Sequence, residues 1–98
     1  MRDLHPRAQD EINEALRWYM DRSLRVADRF DDDLREGLLE IEMFPDRFAR
    51  YILKTRLYIM PRFPYLIVYL AKPEKIIVVA VAHAKRRPGY WRRRLRSL

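Results

Sequence analysis

His83, Lys85, Arg86, Arg87, Tyr90 and Trp91 fall in one stretch near the end of the chain, HAKRRPGYW at 83–91. Clustered cations beside aromatic rings suit contact with phosphate or with acidic protein surfaces. Each charge-assisted hydrogen bond contributes about 1 kcal/mol or more, and the rings can stack on bases or anchor an interface. His83 adds a different chemistry, because histidine titrates closest to neutral pH and can serve as a general base. Each residue also has a plainer role. A histidine closing a strand more often forms a structural hydrogen bond than transfers a proton, and a tryptophan on a short helix packs as readily as it binds. Packing is therefore expected of Trp91, a structural role of His83, and binding of Lys85, Arg86 and Arg87. Arg92, Arg93, Arg94 and Arg96 read as a solvated basic face that adds affinity without direction.

Other chemistries find no residues. Glu11, Glu14, Asp31, Asp32, Asp33, Glu36 and Glu40 fall on the polar sides of predicted helices and read as solubilising charge. The two histidines, His5 and His83, are far apart with no acidic ligand cluster, and there is no cysteine, so no metal site is expected. No Gly-rich phosphate loop and no nucleophile elbow occurs, and no cofactor is implied.

The charge is divided sharply. Residues 1–49 carry eight Arg against thirteen acids, a net −5. Residues 50–98 carry thirteen Lys or Arg against Glu74 alone, a net +12. The halves attract each other, yet a formal +7 remains, which points to an acidic partner engaged by the C-terminal half. With 98 residues, 49% of them hydrophobic, one domain spanning 1–98 with one core is expected. The start, MRDLHPRAQDE, lacks the apolar stretch of a signal peptide, and no apolar run reaches the ~18 residues of a membrane span. A soluble, cytoplasmic protein is the expectation.

The elements that must position the basic junction are legible from periodicity. Ala8, Ile12, Ala15, Leu16 and Tyr19 form a helical stripe over Pro6 to about Arg22. Ser23 suits the N-cap of a second helix running to about Phe44, ended by Pro45, with Val26, Phe30, Leu34, Leu38 and Ile41 on its apolar face. The short link makes an antiparallel helix hairpin. Leu57–Met60 reads as a short strand. Tyr65–Ala71 and Ile76–Ala82 read as a β-hairpin around Lys72-Pro73-Glu74-Lys75, and Tyr90–Leu95 as a short basic terminal helix. The fold class is α+β, a helix hairpin packed on a small antiparallel sheet. Neither hairpin strand alternates apolar with polar residues, so both sheet faces need cover. The helices cover one. The other is expected to receive the tail, a second copy or another protein, the tail alone covering only part of it.

The order of elements, with HPRAQDEINEALRWY at 5–19, RFPYLIVY at 62–69 and VAVAHAKRRPGYW at 79–91, resembles the RelE/ParE superfamily of toxins from type II toxin–antitoxin systems across nearly the whole chain. Family members usually carry a full first strand before the His-Pro element. Here only Met1 to Leu4 precede it, so that strand is expected to be short or missing and the sheet edge open to pairing. The resemblance implies a cognate acidic antitoxin that wraps the toxin, and one of two targets. RelE-like members cut mRNA on the ribosome, whereas ParE-like members poison DNA gyrase without a known reaction of their own. Cleavage requires activation of a 2′-hydroxyl and fixed cations around phosphate. At the positions matching the cleaving set this chain has Leu57, Ile59 and Leu66; Arg86 matches one cationic position, and Tyr90 is a match for the terminal aromatic. A nuclease would thus have to work with His83, Arg86 and Tyr90. The resemblance leans to the ParE-like branch, with Lys85, Arg86, Arg87, Tyr90 and Trp91 as target-binding residues. A plain nucleic-acid binder relying on the Arg-rich tail is a third reading.

Overall fold

A computed structural model describes all 98 residues. The chain runs β1 (Arg2–Leu4), α1 (Pro6–Met20), α2 (Leu24–Met43), β2 (Ala49–Arg50), β3 (Arg56–Ile59), β4 (Tyr65–Ala71) and β5 (Ile76–His83). Short 3-10 turns occupy Ile52–Lys54 and Arg92–Ser97. Local chemistry sets the helix ends. The His5 ring accepts a hydrogen bond from the Arg7 amide at 3.1 Å, and Pro6 takes the first turn, where no amide hydrogen is needed. Ser23 Oγ accepts from the Val26 amide at 3.3 Å and starts α2, and Phe44, ahead of Pro45, leaves helical geometry and ends it.

The five strands lie in the order β1-β5-β4-β3-β2, with β1 parallel to β5 and the other pairs antiparallel. Both helices pack on one face. Ala8, Ile12 and Ala15 of α1 and Phe30, Leu34, Leu38 and Ile41 of α2 meet Tyr58, Met60, Ile67, Tyr69, Val78 and Val81 of the sheet. The two helices, the β4–β5 hairpin and the α+β class match the sequence expectation.

The opposite face is partly covered by the tail. Trp91 is only 2% exposed and packs on Val68, Val79 and Ala80, flanked by Tyr51, Ile52, Leu57, Leu70 and Leu95. The chain's own tail, helped by residues 51–52, therefore covers the Val68, Val79 and Ala80 part of this face, while Leu57 and Leu66 stay half-buried and Ile59 exposed.

One irregularity in β5 aims the site. Val68 pairs with Ala80 and Tyr69 with Val78, leaving Val79 as an extra, bulged residue. The bulge shifts the alternation of side chains. Ile76 and Val78 face the helices before it, Val81 faces them after it, and Val79 and Ala80 both join Trp91. His83, two residues beyond Val81, is thereby brought to the helix side, its ring 5.1 Å from that of Tyr65.

The expected short first strand is present and forms the edge of the sheet beside β5. β1 is only three residues long and pairs with Ile76, Ile77 and Val78. Beyond it the His5 amide donates to the Val78 carbonyl at 2.9 Å and Arg94 Nη1 to the Val79 carbonyl at 3.1 Å. The Val81 amide then donates to Glu11 Oε1 at 3.0 Å.

Candidate functional site at the basic junction

The end of β5, the first turns of the tail and the middle of α1 meet around the Glu11 carboxylate. Its side chain is 11% exposed, as is that of Arg94, which holds it with Nη1 at 2.9 Å from Oε1 and Nη2 at 2.9 Å from Oε2. The same carboxylate accepts hydrogen bonds from the Val81 amide and the Tyr90 hydroxyl, and Arg86 Nη1 lies 3.6 Å away. The Arg86 guanidinium stacks 3.6 Å above the Tyr90 ring, a cation–π contact that spreads the Arg across an aromatic face. Glu11 thus ties helix, strand and tail at one point.

Sequence patterning assigned Glu11, Asp33 and Arg94 to solvent, and the structure corrects all three. Asp33 is 4% exposed and takes a two-pronged grip from Arg62, at 2.6 Å and 3.0 Å. A signal for both acids was present. Glu11 stands three after Ala8 and four before Ala15, and Asp33 three after Phe30 and four before Gly37, which places each on the buried helical stripe.

The expected site residues do not behave as one group. Lys85, Arg86 and Arg87 are exposed at the strand end, and neither Lys85 nor Arg87 forms an ion pair. Trp91 is core. Tyr90 is half-buried; burial, followed by its hydrogen bond to Glu11 and that carboxylate's charge, pushes its pKa well above the ordinary phenol value. The phenol therefore stays protonated at neutral pH and spends its hydrogen on Glu11. His83 Nδ1 accepts from the Lys85 amide at 3.1 Å, which leaves Nε2 as its free nitrogen. Burial of the Arg94 guanidinium, which favours its neutral form, is outweighed by Glu11, so its pKa is raised.

A groove of about 410 Å³ opens between α1 and the strand end. Trp18, Tyr19, Tyr65 and Tyr90 give it aromatic walls, with His83 and Arg86 at its border. On the opposite sheet face, Leu57 and Leu66 are half-buried and Ile59 is 65% exposed. Ile59 pairs with Leu66, and Leu66 with Ala82, so these residues form an apolar strip with no cation among them. No three His, Asp or Glu side chains converge as metal ligands would, and no helix is long and apolar enough to cross a membrane.

The model of a family described as the ParE toxin of the type II toxin–antitoxin system parDE matches residues 3–88. Among solved structures, one titled as the chromosomal ParDE toxin–antitoxin system from P. aeruginosa superposes with a TM-score of 0.75 at 12% identity. It covers 86% of this chain and 95% of its own, a likeness of fold. No curated protein matches the sequence.

Proposed function

The chain belongs to the ParE toxin family of type II toxin–antitoxin systems, and from that premise we propose that it inhibits DNA gyrase by binding it, without chemistry of its own. A cognate acidic antitoxin neutralises it. Residues 1–98 act as one domain in the cytoplasm, where gyrase and antitoxin would be met. The contact surface is Lys85, Arg86, Arg87 and the exposed edge of Tyr90, with Trp91 beneath as the packing that fixes the tail.

The observation that carries this reading is the state of the nuclease-type positions. A ribonuclease of the related kind would need cations along β3 and β4, and this chain presents Leu57, Ile59 and Leu66. Of the remaining set, Tyr90 gives its hydroxyl hydrogen to Glu11, and Arg86 lies over the Tyr90 ring. A group so engaged is poorly placed to transfer a proton to or from a ribose. Exposed Lys85 and Arg87, carried on the end of a rigid strand, are by contrast well suited to reaching acidic groups on a protein. The exposed Trp18 and the aromatic groove beside Arg86 offer apolar anchorage of the kind interfaces favour.

Expression of the chain alone in a bacterial host tests this, with plasmid supercoiling and global mRNA 5′ ends measured together. Lost negative supercoiling or trapped gyrase cleavage, with intact mRNA, is the expected outcome. Codon-phased mRNA cleavage with normal supercoiling would assign the protein to the ribosome and overturn the reading. Co-expression of a small acidic neighbouring gene product is expected to restore growth.

A further inference from the structure

A second set of cations lies away from the junction, along two grooves. Arg92, Arg93 and Arg96 border a groove of about 490 Å³ with Leu53 and Leu95, and no acid lines it. A second groove, of about 510 Å³, is bordered by Arg50, Lys54 and Arg56 with Asp46. Asp46 lies 3.8 Å from Arg56, while Arg50, Lys54, Arg92, Arg93 and Arg96 form no ion pair and are all exposed. Leu53 belongs to one groove and Lys54 to the other, so the turn at residues 52–54 is the ridge between them.

That ridge is strained. Leu53 and Lys54 both adopt left-handed backbone, with φ of 52° and 67°. For non-glycine residues this costs roughly 1–2 kcal/mol each and persists only where the surroundings enforce it. They do so here: Thr55 is buried, its amide donates to the Ile52 carbonyl at 3.1 Å, and the Tyr51 amide donates to the Thr55 carbonyl at 2.8 Å. The turn holds Lys54 outward on a rigid base beside Arg50 and Arg56.

We propose that this back face, formed by Arg50, Lys54, Arg92, Arg93 and Arg96, binds the phosphate backbone of duplex DNA without regard to sequence. Two features select that ligand. Backbone recognition needs several unpaired cations on one rigid surface, which is what the two grooves provide. Single-stranded nucleic acid would further need exposed aromatic platforms for its bases. On this face Trp91 is buried, and the one ring that reaches a groove, Tyr51, is half-buried and leans on Trp91 with centroids 6.0 Å apart, so no row of open platforms is offered. The surface shares no residue with the gyrase-binding junction and does not depend on that assignment.

Fluorescence anisotropy of the purified full chain with a labelled 20-base-pair duplex of arbitrary sequence, read across a salt series, tests the proposal. In Arg92→Gln/Arg93→Gln/Arg96→Gln the slope of log K against log salt is expected to fall by about 3, with affinity lowered roughly tenfold or more. Arg50→Gln/Lys54→Gln, on the other groove, is expected to lower the slope by about 2. Arg17→Gln/Arg25→Gln/Arg29→Gln removes as much charge from the helix hairpin and is expected to change it by less than 1. Equal losses in both triple variants would reduce the effect to net charge and overturn the proposal. So would absence of duplex binding by the native chain, or equally tight binding of single-stranded DNA or polyglutamate.

Discussion

Glu11 is the residue on which the junction depends. It is shielded from water and satisfies a strand amide, a phenol and a guanidinium together, so its loss strands Arg94 without a counter-charge. Removing one partner of such a buried pair typically costs about 3–5 kcal/mol. Glu11→Ala is accordingly expected to lower unfolding free energy by about 3 kcal/mol in urea titration, with Arg94→Ala coupled to it in a double-mutant cycle. Additive losses would show that the two act independently. Tyr58 gives a pH signature at the same scale. Burial first, then its hydrogen bond to Glu40, pushes its pKa up to about 12. The unfolded phenol, near ~10, releases its proton first, so the contribution of Tyr58 is complete below pH ~10 and declines as pH rises toward 12. Tyr58→Phe is expected to flatten stability against pH in that window, measured by denaturant unfolding at each pH.

Gly37 shows what the packing of α2 on the sheet demands. A Cβ there would stand 2.7 Å from Tyr58 Cε1 and 3.3 Å from Ile67 Cδ1, against side chains that are themselves buried. Alanine would gain up to about 1 kcal/mol of helix propensity, but overpacking costs typically 1–3 kcal/mol. Gly37→Ala is therefore expected to lower the melting temperature, and a rise would mean that α2 shifts freely on β3. Elements also separate what was legible in the sequence from what was not. Both helices and the β4–β5 hairpin follow from periodicity and punctuation, because each is stabilised by residues close in sequence. β1 and β2 are too short to show a pattern and exist only through their partners. The Val79 bulge left no sign in an unbroken apolar run, yet it decides which face receives His83. Glu11 and Arg94 escaped for a related reason: their partnership spans 83 residues, and a lone acid on a helical stripe looks like a solvated one until its cation arrives.

At the scale of the whole molecule, the charge asymmetry of the sequence becomes a geometry. The acid-rich helix hairpin occupies one face, the junction cations stand at the end of β5, and the tail arginines spread over the back. Only part of this positive charge is neutralised within the chain. Arg94 is fully engaged, Arg86 partly, while Lys85 and Arg87 are free. Exposed cations of this kind steer encounter and lose influence as salt rises. Lys85→Ala/Arg86→Ala/Arg87→Ala is therefore expected to weaken growth inhibition by tenfold or more in the inducer dose needed, at roughly 1 kcal/mol for each charge-assisted bond removed, with thermal stability near that of the native chain. Inhibition unaltered by that change would place the active surface elsewhere.

The most direct measurement is a supercoiling reaction with purified DNA gyrase, relaxed plasmid and ATP, titrated with the purified chain and, separately, with Arg86→Ala/Arg87→Ala. The account predicts dose-dependent loss of supercoiling or accumulation of cleaved plasmid with the native chain, and strong relief with the variant. Gyrase that supercoils normally at all concentrations of the native chain, while the same preparation cleaves mRNA on translating ribosomes, would contradict it.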